Sequence, residues 1–182
     1  DHVAITAGDP NTKAAYSAVV GQIHGVKVDD NSDNFGYGNE PLKIYFKKFP
    51  DHKTGSIFWN HERNLAKEHP NRTDISYAVF GNNWDDTSDP GDAGIALGEE
   101  FSYVVNVHDN TMYLTFTTKR HGTVEHAINL ADNVDAKGNV DAKDNPAGYT
   151  GDALYFKAGI YNQCSTKTGG GLWYAGCPGT GD

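Results

Sequence analysis

The chain has 182 residues, 12% of them aromatic, with 21 glycines and a formal net charge of −9 at pH 7. This length suits one domain that buries its own core, and the glycine and aromatic content favours β-structure with many turns. The charge argues against nucleic acid and anionic membranes as partners, and no apolar run approaches the ~20 residues of a membrane-spanning helix.

The first informative stretch is a short strand within residues 13–25, which follows a strand tail at residues 1–7 and a turn at residues 8–11. Gln22 and His24 lie two positions apart in it, so an extended backbone directs both side chains to one face of a sheet. His24 also titrates near neutrality. A structural histidine beside apolar residues would give the same pattern, so the pair alone leaves both roles open.

Residues 29–34 form an acidic, turn-rich loop with the sequence Asp-Asp-Asn-Ser-Asp-Asn. Their side-chain oxygens are ligands that Ca²⁺ prefers, but the spacing differs from that of an EF-hand loop. We therefore expect a solvated loop, with a structural Ca²⁺ as the alternative. The same two alternatives hold for residues 132–145, a predicted surface loop that repeats Val-Asp-Ala-Lys. We expect no required cofactor.

Residues 42–49 alternate as a strand with a cationic and aromatic face made of Lys43, Tyr45 and Lys47. Ammonium groups pair with carboxylates, and tyrosine rings pack on the faces of sugars. This face therefore suits an acidic sugar. It suits equally a solvated edge strand whose lysines discourage aggregation.

Residues 50–98 are polar and are predicted to form a lid or wall over a groove, with a short helix at residues 60–68. His61, Arg63 and Arg72 lie in this segment. They are candidate subsite residues, although no pattern singles them out.

Residues 101–108 and 112–118 alternate as strands joined at Asp109-Asn110, which is typical of a hairpin. A further strand is predicted at residues 124–130. Short alternating strands with hardly any helix predict an all-β fold of two antiparallel sheets, a β-sandwich or jelly roll.

The last predicted strand, residues 155–163, has two chemically different faces. Tyr155, Lys157, Tyr161 and Gln163 share one face, and the opposite face is apolar. A glycine between them leaves room for close approach to the backbone. This pattern is typical of a strand that binds a ligand, with an ordinary amphipathic strand as the alternative.

Cys164 and Cys177 are the only cysteines, and they flank a glycine-rich segment. In a chain of this composition, two cysteines around a loop favour a disulfide over free thiols. Such a bridge would pin the loop that follows the last strand and would support the site without redox chemistry.

Gln22-Ile23-His24, followed by Tyr-Phe-Lys-Ala-Gly-Ile-Tyr-Asn-Gln at residues 155–163, resembles the motif pair of alginate lyases in polysaccharide lyase families 7 and 18. Residues 49–97 are also similar to the marine-bacterial members. The resemblance implies a jelly roll with a concave substrate-binding sheet and a single catalytic domain over residues 1–182. It further implies a monomeric, secreted or periplasmic bacterial protein whose partner is alginate, an anionic polysaccharide.

The chemistry implied by this resemblance is β-elimination at a uronate. Gln22 would donate to the substrate carboxylate, His24 would accept the C5 proton, and Tyr161 would protonate the leaving oxygen. The residues expected to bind the substrate are Lys43, Tyr45, Lys47, Tyr155, Lys157 and Gln163. Because alginate is a polyanion, attraction by a chain of negative charge must come from a local cluster of cations.

The family places an essential arginine in an Arg-x-Glu-x-Arg type strand that precedes the segment matching residue 1. This chain lacks that motif. We expect residues 1–182 to lack the family's arginine-bearing first strand and its closing last strand. The arginine that neutralises the substrate carboxylate is therefore not assigned.

Three other classes of protein compete with this interpretation. A glycoside hydrolase needs a pair of carboxylates at a fixed separation, and no predicted strand presents two on its ligand face. A non-catalytic carbohydrate-binding module could use the same tyrosines and lysines but has no need of Gln22 together with His24. A purely structural sandwich leaves both motifs unexplained.

Overall fold

The computed structural model describes residues 16–26, 38–49, 51–66, 69, 70, 72, 74–131 and 148–162, with the backbone alone for residues 16, 17 and 160–162. The two loops predicted as alternatives for Ca²⁺, residues 29–34 and 132–145, lie outside these residues. Gln163, Cys164 and Cys177 also lie outside them, so the predictions made for them stay predictions.

The described residues form eight β-strands and one short 3-10 helix. The strands are β1 (Tyr16–Gly25), β2 (Leu42–Lys48), β3 (Ser56–Glu62), β4 (Asp74–Phe80), β5 (Phe101–His108), β6 (Thr111–Thr118), β7 (Gly122–Asn129) and β8 (Leu154–Asn162), and the 3-10 helix is Gly91–Ala93. One sheet has the order β4-β3-β2-β1-β8 and the other the order β5-β6-β7, with all neighbours antiparallel. The predicted all-β, antiparallel fold is confirmed. Among the described residues, no helix is long and apolar enough to span a membrane.

A hydrophobic core joins the two sheets. Ile44 and Trp59 from the larger sheet belong to the same buried cluster as Leu114 and Phe116 from the smaller one. Leu114 and Phe116 alternate with polar residues along β6, because only one face of this strand lies on the core. Burial of this apolar surface holds the sheets face to face.

The predicted hairpin is confirmed between β5 and β6. Asp109 and Asn110 have φ values of 50° and 57°, and they close the pair between His108 and Thr111. Positive φ at both central residues is the geometry of a type I′ turn, which matches the twist of the flanking strands.

The helix predicted at residues 60–68 is wrong, because residues 60–62 end strand β3 and no helix is present at residues 63–66. The interpretation of residues 50–98 as one lid or wall is wrong as well, since β3 and β4 are strands of the larger sheet. β3 is buried on both faces. Apolar residues stand on both faces, Trp59 on one and Phe58 on the other, so β3 lacks the apolar-polar alternation from which strands are predicted.

β1 contains a bulge at Val20. Val19 pairs with Tyr45 of β2 and Gly21 pairs with the next residue, Ile44, so Val20 is one residue in excess. Residues of β1 that are three apart in sequence on either side of the bulge, such as Val19 and Gln22, therefore share a face of the sheet.

Tyr103 of the smaller sheet contacts this bulge from below. Its hydroxyl donates a hydrogen bond to the Val20 carbonyl at 2.9 Å. A Cβ atom at position 21 would lie 2.5 Å from the same hydroxyl oxygen, so the close approach of Tyr103 requires glycine there.

Candidate functional site

A row of polar residues crosses the larger sheet on the face away from the core. The ladder pairs Lys157 of β8 with Gln22 of β1, Gln22 with Lys43 of β2, Lys43 with Asn60 of β3, and Asn60 with Ser76 of β4. Directly opposed residues of antiparallel strands share a face and lie close together. The structure thus brings together Gln22, Lys43 and Lys157, which are far apart in sequence.

His24 lies two residues beyond Gln22 on β1, so it shares the face of this row. It pairs with Tyr155 of β8, and the two rings stack with centroids 5.2 Å apart. The Nδ1 atom of His24 lies 2.8 Å from the Gly25 carbonyl oxygen. Because a carbonyl only accepts hydrogen bonds, Nδ1 carries the proton of the neutral ring and Nε2 keeps its lone pair.

Tyr161 lies on the same sheet, in the register position opposite Val19 of β1. Between the pair at Ala158 and the pair at Tyr161, β8 advances three residues while β1 advances two. Gly159, in this irregular step, has a φ of 147°, a backbone conformation that residues with a side chain rarely adopt.

An open pocket of about 490 Å³ lies over β1 and β8. Its lining residues are Val19, Gly21, Gln22, Glu40, Lys157, Ala158 and Gly159. The pocket therefore lies between the row that holds Gln22 and the register position of Tyr161.

Glu40 is a site residue that the sequence analysis missed. Its Oε1 accepts a hydrogen bond from Gln22 Nε2 at 3.1 Å and lies 3.5 Å from His24 Nε2, and its Oε2 lies 3.3 Å from Lys43 Nζ. Glu40 stands in the loop before β2, where alternation gives no information about side-chain direction. No pattern in the sequence could have identified it.

Lys43 is 8% exposed and has carboxylates on both sides. Its ammonium lies 2.8 Å from Asp74 Oδ2 and 3.3 Å from Glu40 Oε2. Burial alone would lower the pKa of Lys43, but the negative charges around it, Asp74 first among them, raise that pKa above its usual range. Lys43 is therefore protonated, and its charge is already balanced by carboxylates of the protein.

Tyr45 and Lys47 are buried, with 2% and 3% of their surface exposed. Tyr45 packs against Phe58 and Trp84, at centroid distances of 5.0 and 5.3 Å. Lys47 donates to the backbone carbonyls of residues 83, 84 and 86 at 2.8, 3.2 and 2.7 Å. Lys47 thus anchors the loop that covers this part of the sheet.

Lys157 differs from the lysines of β2. Its side chain is exposed, and its ammonium lies 5.2 Å from the centroid of the Tyr155 ring. Among the residues that the structure describes, Lys157 has no carboxylate partner. Its charge is therefore available to a ligand in the pocket.

The other candidate subsite residues are engaged within the fold. Arg72 pairs with Glu62 at 2.8 Å. His61 is fully buried, with Nδ1 at 2.9 Å from the Pro41 carbonyl, and burial lowers its pKa to about 4. Arg63 is also buried.

Comparisons with known proteins give a consistent result. A family model described as alginate lyase matches residues 2–177. An alginate lyase of Klebsiella pneumoniae is 33% identical over 155 residues, which cover 83% of this chain and 42% of that protein.

Two solved structures are similar in fold and sequence. The exolytic PL7 alginate lyase of Zobellia galactanivorans gives a TM-score of 0.64 at 41% identity, over 87% of this chain and 55% of that one. An alginate lyase of Klebsiella pneumoniae gives 0.57 at 28% identity, over 90% and 49%. The chain spans about half the length of the relatives it matches. On the family match over nearly its whole length, the chain belongs to the alginate lyase family.

Proposed function

We propose that this protein cleaves alginate by β-elimination and releases oligosaccharides with an unsaturated end. The observation that supports this proposal most strongly is the register of β1 and β8. In this register Gln22 pairs with Lys157, and both line the pocket, while His24 and the backbone of Tyr161 belong to the same two strands. Membership of the alginate lyase family indicates the substrate.

The difficult step is removal of the C5 proton, because negative charge builds up next to a carboxylate that is already charged. Donors aimed at that carboxylate stabilise the transition state. Gln22 supplies an amide N–H that it cannot lose as a proton, and the ammonium of Lys157, which has no carboxylate partner among the described residues, supplies positive charge beside it.

His24 is the proposed base and Tyr161 the proposed acid. With its proton on Nδ1, His24 presents a free lone pair on Nε2, which accepts the C5 proton as the C4–O bond breaks. The phenol of Tyr161 protonates the leaving oxygen, so that a C4=C5 double bond forms and the proton count balances. The imidazolium and phenolate that remain return to their starting states by exchange with solvent.

The finer properties are proposed on the resemblance and on composition. We propose a single catalytic domain and a secreted or periplasmic protein that acts as a monomer without a required cofactor. Cys164 and Cys177 would form a disulfide that pins the segment after β8. Gln163 would join the substrate-binding residues.

The test is to incubate the protein with alginate and to follow the ultraviolet absorbance of the C4=C5 double bond. We expect this absorbance to rise, and we expect Tyr161→Phe to lower the rate by at least about 100-fold through loss of the acid. Tyr113→Phe is the matched control, because Tyr113 is exposed on the smaller sheet and should keep the wild-type rate.

The competing function is a binding module that holds alginate without cleaving it. That module would retain the polymer on an affinity gel and produce no new absorbance. A fully active Tyr161→Phe variant would instead show that the acid is another residue.

A further inference from the structure

Glu40 touches both β1 residues that the proposed reaction needs. Its Oε1 accepts the hydrogen bond of Gln22 and lies 3.5 Å from His24 Nε2. Its side chain is 21% exposed, and it lines the pocket. The reaction described above assigns no task to this carboxylate.

The position of Glu40 is fixed by the backbone around it. Its N–H donates to Glu62 Oε2 at 2.8 Å, and its carbonyl accepts from the Glu62 N–H at 3.1 Å. Pro41 follows and restricts the chain further. The carboxylate is therefore in place before a substrate enters.

An ionised carboxylate can only accept hydrogen bonds, so it decides which end of the Gln22 amide faces it. The amide nitrogen must point to Glu40, as observed. One N–H of Nε2 is used in this contact, and the second N–H remains for a ligand. A rotated amide would present its oxygen to Glu40 and repel it.

The same carboxylate faces the third side of the His24 ring. The Gly25 carbonyl contacts Nδ1, Tyr155 stacks on the ring face, and Nε2 lies 3.5 Å from Glu40 Oε1. A carboxylate oxygen and the lone pair of Nε2 are both acceptors, so this contact becomes attractive only when Nε2 carries a proton. Glu40 therefore pairs with the ring after His24 has accepted the C5 proton.

We propose that Glu40 is a positioning residue, whose carboxylate holds the Gln22 amide in the orientation that elimination requires and pairs with the His24 ring once Nε2 carries the C5 proton. This inference rests on the proposed function, because it concerns the same site. Glu40 does not touch the reacting atoms and acts through its two neighbours.

The test compares Glu40→Gln with Asp74→Asn in the protein. A glutamine at position 40 has one acceptor atom and an NH₂ group, so it cannot accept from Gln22 while facing both His24 and Lys43 correctly. We expect kcat on alginate to fall about 100-fold, with KM within about threefold of wild type, because misorientation acts on the transition state.

Asp74→Asn is the matched control. It removes the same charge from the other side of Lys43, and Asp74 contacts Lys43 and Asn60 from β4, which is separated from β1 by two strands. We expect its kcat to fall by less than about threefold, since the oriented pair is intact. An equal loss in both variants would overturn the proposal, because it would indicate a general effect of charge.

Nuclear magnetic resonance supplies a readout that does not depend on turnover. In Glu40→Gln we expect the side-chain NH₂ signals of Gln22 to move, whereas Asp74→Asn should keep the wild-type signals. Unchanged signals in Glu40→Gln would overturn the proposal. If wild type produces no new absorbance from alginate, the proposed function fails, and these signals still decide whether Glu40 orients the Gln22 amide.

Glu40→Asp provides a second variant that keeps the charge and both acceptor atoms on a shorter side chain. It should retain more kcat than Glu40→Gln. A rate equal to or below that of Glu40→Gln would overturn the assignment, and so would a change confined to KM.

Discussion

The lysines of the larger sheet have the same charge but different surroundings. Lys43 lies between two carboxylates, Lys47 lies among backbone carbonyls, and Lys157 faces the pocket without a carboxylate partner in the described part of the chain. The cationic face of β2 that the sequence predicts is therefore absent as a surface. Lys157 provides the positive charge that the pocket presents to a ligand.

His24→Ala should separate the two kinds of uronate block. In guluronate the proton and the leaving group lie on opposite sides, so the proposed reaction uses His24 as a base that is separate from Tyr161. We expect kcat/KM on guluronate blocks to fall by about 100-fold or more, and on mannuronate blocks by much less, because the tyrosine can serve both steps there. The absorbance assay on purified blocks measures both.

His108→Ala is a suitable control for that variant, since His108 is exposed on β5 of the smaller sheet. Its rates on both blocks should match wild type. Equal losses on both blocks in His24→Ala would contradict the division of work between the imidazole and the phenol.

The site residues on strands were predictable from alternation, but Glu40 was not. Gln22 and Lys157 stand at positions where a period of two fixes the face, and the ladder pairs them directly. Glu40 reaches the same place from a loop. Its contact with Gln22 depends on the tertiary fold, which local sequence patterns do not report.

Trp84 and Lys47 help to attach the loop between β4 and the 3-10 helix, residues 81–90, to the sheet. Trp84 covers Tyr45 and Phe58 on the outer face, and the ammonium of Lys47 binds three of the loop's carbonyl groups. A buried lysine that satisfies carbonyls replaces the backbone pairing that a loop lacks.

Lys47→Met should weaken the attachment of this loop. The methionine fills a similar volume but leaves three carbonyl oxygens without their donor, so we expect the free energy of unfolding to fall by about 1–3 kcal/mol at pH 7. Urea unfolding measures the change. Lys53→Met, which removes an exposed ion pair with Asp92, should stay close to wild type.

The cost of burying Lys47 also predicts a pH dependence. Burial lowers its pKa to about 8, from 10.5 for an ordinary lysine. Between these values the unfolded chain binds more protons than the folded one, so the contribution of Lys47 to stability rises with pH over this window and is constant below it. The difference in stability between wild type and Lys47→Met should widen from pH 8 to 10.5, and a constant difference would contradict this cause.

The strands that could be predicted were those whose sequences alternate, including β2, which is buried on both faces but carries lysines on the outer one. β5, β6 and β7 alternate clearly, and the turn at Asp109-Asn110 marks the hairpin of β5 and β6. β3 gives no such signal because apolar residues stand on both of its faces, Trp59 on one and Phe58 on the other. The bulge at Val20 likewise has no local signature, although it sets which residues of β1 share a face.

At the scale of the whole fold, the 182 residues carry a net charge of −9, which opposes the approach of a polyanion. Within the described residues, most cations near the pocket are paired with carboxylates of the protein, and Lys157 is the exposed exception. Long-range repulsion and short-range attraction therefore act at different distances. Salt screens the first more strongly than the second.

We expect kcat/KM on alginate to rise with sodium chloride at low ionic strength and to fall at higher concentrations. The Debye length shortens from about 30 Å at 0.01 M to about 8 Å at 0.15 M, which removes repulsion by distant acidic loops before it weakens a contact ion pair. Initial rates across this range measure the effect. A steady decrease from the lowest salt would indicate that the local cations dominate at all distances.

The Tyr103 ring supports β1 from the core side, where it occupies the space that a side chain at Gly21 would need. A smaller residue in place of Tyr103 would leave a void beneath this strand and remove a hydrogen bond to its bulge. Protein engineers could thus alter the backbone beside the pocket from the opposite sheet, without replacing any residue that lines it.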